Sequence, residues 1–182
     1  MTDFARLMSD YFVKYLAGQK GSGSNTMKTY RDTFVQLLEF MDEKKNIRAD
    51  CIEVDSFSYD IINEFLEYLE KEKRVSISTR NNRLAAIRSF FKYTGYHEPK
   101  YLNISTSIRE ISKKKTEGRQ MNYLSVNAME HFLNSFDKTD HKELRCFCIV
   151  LLLYESGARV TELCNVRRYD LHLEKPYTMI LH

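Results

Sequence analysis

Between Lys73 and His97 the chain carries six bases (Lys73, Arg74, Arg80, Arg83, Arg88, Lys92) and no acid, a local charge of +6. Guanidinium and ammonium groups at that density suit phosphate, whose oxygens accept charge-assisted hydrogen bonds. Residues 50–72, just upstream, carry eight acids and one base (−7), and residues 98–122 add +3. A net charge of only +3 over 182 residues therefore hides a polarised molecule, with one basic and one acidic face. That is the electrostatic footprint of a nucleic-acid binder, although solvated helix faces of opposite sign give the same arithmetic. A second candidate is Arg159, which opens a helix directly after a Ser156–Gly157 stop signal, with Glu162 three residues on. An ordinary surface ion pair is the plain alternative for these two.

Other chemistries find little support. The four cysteines (Cys51, Cys146, Cys148, Cys164) are too few for a disulfide scaffold. Cys146 and Cys148 are two apart, so on a helix they point to different faces, and with His131 and His141 they give no zinc spacing. Reduced packing thiols, no metal and no cofactor are expected. No run nears the ~18 apolar residues that cross a bilayer, and the N-terminus lacks a signal peptide's pattern. A soluble cytoplasmic protein without a membrane partner is expected.

The elements that must carry these residues are helical nearly throughout. With 6 Gly and 2 Pro among 182 residues, helix breakers are scarce. Phe4, Leu7, Met8, Tyr11, Phe12, Tyr15 and Leu16 repeat at helical spacing up to Gly18, and a flexible GQKGSGSN spacer follows. The next helix, capped by Asn25 or Thr26, buries Tyr30, Phe34, Leu37, Leu38 and Met41 and shows Lys28 and Arg31 on its other face. Residues 47–58 read as a loop. A third helix over 59–73 buries Ile62, Phe65, Leu66 and Leu69.

Ser76 or Ser78 caps a fourth helix, with Leu84, Ile87 and Phe91 on one side and Asn81, Ala85, Arg88, Ser89 and Lys92 on the other. Small residues between long donors suit entry into a major groove ~12 Å wide. After Pro99 and a short apolar stretch, residues 113–122 read as a linker. Its Lys113, Lys114, Lys115 and Arg119 could follow a phosphate backbone. Domains of 1–112 and 123–182 are expected on either side. In the second, Ser125 caps a short helix. Residues 142–154, apolar nearly all round, read as a buried central helix. Tyr177–Leu181 reads as a strand.

LLLYESGARVTELCNVRRYDL (151–171) resembles the first catalytic-arginine box of the tyrosine recombinases, the phage-integrase family that includes Xer-type enzymes. Leu152, Leu153, Tyr154, Gly157, Arg159, Glu162, Leu163 and Asp170 match it; Ser156 and Val166 stand where the pattern has Thr and Leu. NTMKTYRDTFVQLLEF and STRNNRLAAIRSFFKY resemble helices of the family's core-binding domain, and NYLSVNAMEHFL resembles the opening of its catalytic domain. The resemblance implies a mainly α fold: a SAM-like core-binding domain of four to five helices, then the helical start of a catalytic domain ending in one β-strand.

The same resemblance implies double-stranded DNA as partner, a homo-tetramer of the whole enzyme on DNA, and metal-free transesterification through a 3′-phosphotyrosyl link. Arg159 would clamp the scissile phosphate and Glu162 would orient it. Lys28, Arg31, Arg80, Asn81, Arg83, Arg88, Lys92 and Lys113–Lys115 would hold DNA. The family's Lys, His-x-x-Arg and nucleophilic Tyr motifs do not follow Arg159. The sequence therefore reads as the N-terminal part of a longer enzyme, inactive alone. A non-enzymatic helical DNA-binding module is the competing expectation. The strand at 177–181 is expected to lack its hairpin partner and to drive a dimer through residues 142–182.

Overall fold

The computed structural model describes residues 2–21, 23–116, 118, 122–172, 174–175 and 178–180. Chain contacts divide it into two units, Met1–Gly118 and Arg119–His182.

The first unit opens with α1 (Asp3–Asp10), capped by the Thr2 hydroxyl, which accepts from the Ala5 N–H at 3.2 Å. The sequence predicts one continuous α-helix to Gly18, but from Tyr11 to Gln19 the chain is a π-helix instead. Tyr11 and Leu16 are both fully buried, and residues five apart share a face only when the turn widens to i→i+5 bonding. The spacer is also shorter than expected. Helix α2 (Ser24–Lys45) starts upstream of Asn25 with Gly23 at the cap, so the expected Asn25 or Thr26 cap is not used.

Helix α2 buries Thr33, Phe34, Leu37, Phe40 and Met41, while Tyr30 and Leu38 are half-buried. It stops at Asn46, whose left-handed backbone (φ 54°) lets its N–H reach the Asp42 carbonyl. Residues 47–58 are an irregular connection that still buries Ile52, Val54 and Phe57.

Ser58 caps α3 (Tyr59–Lys71) and Ser76 caps α4 (Ile77–His97), each hydroxyl accepting from the backbone N–H three residues on at 3.2 Å. After a turn at Pro99–Tyr101, α5 (Leu102–Glu110) packs along α4. Phe90 is the aromatic hub, with ring centroids 5.3–5.5 Å from Phe4, Tyr11 and Phe34 and 5.2 Å from Phe91. Burial pushes the Tyr11 phenol up from its ordinary value.

The second unit contains α6 (Val126–Asn134, capped by Ser125), α7 (His141–Ser156, capped by Asp140) and α8 (Val160–Asn165). Gly157, at φ 63°, ends α7 with its N–H on the Leu153 carbonyl at 3.0 Å. The expectation of a buried α7 does not hold. None of its residues is buried among the described ones, and Leu144, Ile149, Leu152 and Tyr154 are exposed. The described elements beside α7 are too short to cover a helix apolar on every side.

The lone terminal strand is corrected as well. Strands β1 (Leu171–His172) and β2 (Thr178–Met179) pair antiparallel, with Leu171 opposite Met179 and His172 opposite Thr178. Met179 thus has an in-chain partner, so the strand is not a lone one; Tyr177 and Leu181 lie outside the described residues. The architecture is mainly α, with this one hairpin. Among the described residues no helix is long and apolar enough to cross a membrane, and no group of side chains could hold a metal. All four cysteines are free but exposed, so they are not the packing thiols the composition suggests.

Candidate nucleic-acid interface and candidate catalytic arginine

The first unit bears a concavity of about 480 Å³ lined by Tyr15, Lys20, Tyr30, Ala85, Arg88, Ser89, Lys92, Arg109 and Lys113. Five of the nine are cations and none is an acid. Helix α4 supplies the floor, where Ala85 and Ser89 leave room between Arg88 and Lys92. The π-helix brings Tyr15 and its C-cap residue Lys20, α2 brings Tyr30, and α5 with the segment after it brings Arg109 and Lys113. Acids of α3 and its C-cap do not line the concavity: Glu64, Glu67 and the cap residue Glu72 pair with Lys45, Lys71 and Lys44 at 2.5–2.9 Å.

The DNA-binding residues expected from the sequence separate into two sets. Lys28, Arg31, Lys92, Lys113 and Lys115 are exposed. The others have intramolecular work. Arg80 is only 5% exposed, with Nε 3.1 Å from Glu70 Oε1 and Nη1 donating to the Ser112 carbonyl at 3.2 Å. Its place as a groove-reading donor is therefore corrected, because a buried, ion-paired guanidinium cannot reach a base or phosphate.

Arg83 Nη1 donates to the Thr29 carbonyl at 3.0 Å and the Thr33 hydroxyl at 3.2 Å, tying α4 to α2. Asn81 and Arg88 bond to the backbone of Lys114 and Ile111. Lys114 Nζ sits 2.7 Å from Glu70. Arg119 lies outside the described residues. Sequence reasoning missed Tyr15, Lys20, Tyr30 and Arg109, since only packing puts them beside α4; the acid-free surroundings of Lys20 were the one available signal.

In the second unit Arg159 is the N-cap of α8, one position before the helix in which the sequence placed it. Its side chain is 83% exposed. Glu162 grips it twice, accepting from the Arg159 N–H and from Nη1, both at 2.7 Å. Those two contacts, the backbone one foremost, hold the Glu162 carboxyl below its ordinary range. The guanidinium is thus tethered at one nitrogen, with its other donors turned to solvent. Asp170, further along the same box, is 2% exposed and accepts from the Arg167 N–H at 2.7 Å.

The chain is similar to two Sinorhizobium fredii (strain NBRC 101917 / NGR234) proteins named as integrase/recombinases. It is 28% identical to y4rC over 92% of this chain and 50% of that protein, and 28% identical to y4rD over 97% and 63%. It is 25% identical to the tyrosine recombinase XerC of Staphylococcus aureus (strain USA300 / TCH1516) over 90% of this chain and 52% of that one. The chain spans between half and two thirds of these relatives' length. Residues 10–99 match the family model of the phage integrase N-terminal SAM-like domain, a stretch running from the end of α1 through α4 to the turn before α5. The helical first unit and the arginine box of the second agree with these likenesses: residues 10–99 form a phage integrase N-terminal SAM-like domain, and the chain's homologues are integrase/recombinases and XerC tyrosine recombinases.

Proposed function

We propose that the chain is part of a site-specific DNA recombinase in which residues 1–112 hold duplex DNA, 113–122 link, and 123–182 begin the catalytic domain. The observation that carries this reading is the acid-free groove with a small-residue floor, Ala85 and Ser89, between Arg88 and Lys92. A duplex presents one phosphate charge per ~1.7 Å of axis, and a row of cations along a concave wall releases its counterions. Lys20, Lys92, Arg109 and Lys113 hold the backbone, with Lys28, Arg31 and Lys115 on the flanks.

In the second unit Arg159 stabilises the charge that builds on the scissile phosphate's non-bridging oxygens when a tyrosine of the whole enzyme attacks. A planar guanidinium offers two parallel donors to such oxygens, and Glu162 limits the rotamers it must give up on binding. The attack forms a 3′-phosphotyrosyl link as the bond to the 5′-oxygen breaks and leaves as a 5′-hydroxyl; a 5′-hydroxyl then attacks that link and frees the tyrosine, so the bond energy is conserved and the chemistry calls on no high-energy cofactor. The nucleophile lies outside this chain's own motifs, and four copies of the whole enzyme act together on two duplexes.

Fluorescence anisotropy with labelled duplex DNA across a salt series tests the binding half. Lys92→Ala and Arg109→Ala should each weaken binding and reduce the slope of log K against log salt by about 0.9. Slopes unchanged from the parent overturn the groove assignment.

A further inference from the structure

Four side-chain-to-backbone hydrogen bonds converge on the segment just after α5. Arg88 Nη2 donates to the Ile111 carbonyl, and Arg80 Nη1 donates to that of Ser112 at 3.2 Å. Asn81 holds Lys114 on both sides: Nδ2 donates to its carbonyl at 2.8 Å, and its N–H donates to Oδ1 at 3.1 Å. Lys114 Nζ then reaches Glu70 at 2.7 Å, the carboxylate that also faces the Arg80 Nε. Only an amide side chain can give and accept in this way, which mimics one rung of an antiparallel ladder.

A stretch of three consecutive lysines has no apolar side chain with which to hold itself down, and ordering it costs conformational entropy. The four bonds and the Glu70 contact supply that order. Lys113, between the clasped residues Ser112 and Lys114, is thereby carried into the wall of the basic groove.

We propose that Asn81, with Arg80 and Arg88, is a positioning residue: it straps residues 111–114 along α4 and so sets Lys113 in the groove. The strap stands on the DNA-free structure, whereas its link to binding rests on the function proposed above. Three residues whose type suggested DNA contact thus act chiefly on their own chain.

Amide hydrogen exchange and limited trypsin digestion of the 182-residue chain without DNA test the strap. In Asn81→Ala the Lys114 amide should lose protection about tenfold, and cleavage after Lys113, Lys114 and Lys115 should quicken by a similar factor. Asn81→Asp keeps the acceptor and should restore the Lys114 amide protection. Should Asn81→Ala fail to fold, Lys114→Pro removes the donating N–H from the strap side and leaves α4 untouched, and quickened trypsin cleavage after Lys115 is then the readout. Protection and cleavage equal to the parent's in the folded variant overturn the strap.

With DNA, Asn81→Ala should lower the salt slope in the same direction as Lys113→Ala, and the double variant should fall short of the sum. A loosened strap with an unchanged slope overturns the link to the groove. If Lys92→Ala also leaves the slope unchanged, it is the groove reading that fails and the strap stands.

Discussion

Gly95 of α4 and Ser105 of α5 approach so closely that a Cβ on Gly95 would stand 2.6 Å from the Ser105 Cβ and 2.7 Å from its Oγ. Ser105 is itself buried, so it has nowhere to retreat. This contact sets how α5 lies on α4. Arg109 is one turn beyond Ser105 on α5, on the same face, and Lys92 is about one turn before Gly95 on α4, so the close approach delivers Arg109 to the groove beside Ser89 and Lys92. Gly95→Ala should destabilise the first unit by about 1–3 kcal/mol, the usual range for overpacking. Ser105→Gly should return most of that loss in the double variant. Denaturant melts of the four proteins read the result, and an unaltered midpoint for Gly95→Ala would mean that the helices separate freely.

Arg80 and Glu70 form the buried charge pair beneath the strap, with side chains 6% and 22% exposed. Removing one partner strands the other. Glu70→Ala should cost about 3 kcal/mol, as expected when a buried guanidinium loses its carboxylate. Replacing Arg80 with Met at the same time should recover much of the loss, because no unpaired charge then remains. The same melts decide it: a loss below about 1 kcal/mol for Glu70→Ala would place the pair among surface ion pairs.

Ala85 lies on the groove floor, and its small size is what the proposed DNA contact needs. Ala85→Glu puts a carboxylate where phosphates are to run and should weaken duplex binding at least roughly tenfold. Because Ala85 is not fully buried, helix content and melting should stay near the parent's. Binding that survives the substitution would move the DNA away from this groove.

Arg159 should matter for cleavage and little for binding. In the full-length enzyme Arg159→Ala should lower strand cleavage by about 10²–10³, the cost of losing one preorganised donor to a developing oxyanion. Site affinity should change little, since the group acts mainly in the transition state. Arg159→Lys keeps the charge but loses the planar fork and should fall between the two. Suicide-substrate trapping of the phosphotyrosyl adduct measures it, and cleavage at the parental rate would leave Arg159 as a surface partner of Glu162.

The Asp3 carboxyl receives hydrogen bonds from Lys100 Nζ at 2.6 Å and the Tyr101 hydroxyl at 2.9 Å, pinning the start of α1 to the turn before α5. These contacts, Lys100 foremost, hold its pKa below the ordinary value. The unfolded chain therefore takes up this proton first as the medium is acidified. The contact's stabilisation is complete above the unfolded value of about 3.9 and is lost as pH falls through the lower folded value. Asp3→Asn should lower stability most at neutral pH, where the contact is complete, and flatten the acid limb of the stability–pH curve below about pH 4, where the two proteins converge. Identical acid limbs in the two proteins would show that Asp3 carries no linkage.

Sequence alone determined where α3 and α4 stand and which side of α3 is buried. Ser76, one of two candidate caps, announces α4, and the spacing of Ile62, Phe65, Leu66 and Leu69 fixes the inner face of α3. These signals are local, since caps and periodicity depend on residues within a turn or two. The arginine box likewise reads along the chain, through the Gly157 stop and the Arg159–Glu162 interval. Tertiary structure decided which donors remain available. Charge and spacing treat Arg80, Asn81, Arg83, Arg88 and Lys92 alike, yet Lys92 faces solvent while the other four donate hydrogen bonds to residues 23–54 positions away. The same packing recruited Tyr15, Lys20, Tyr30 and Arg109, whose local sequence does not point to the groove, and widened the helix at Tyr11 so that Leu16 could join the core. A side chain's donors go to whatever acceptor the fold brings within about 3 Å, and that neighbour is set by elements far away in sequence.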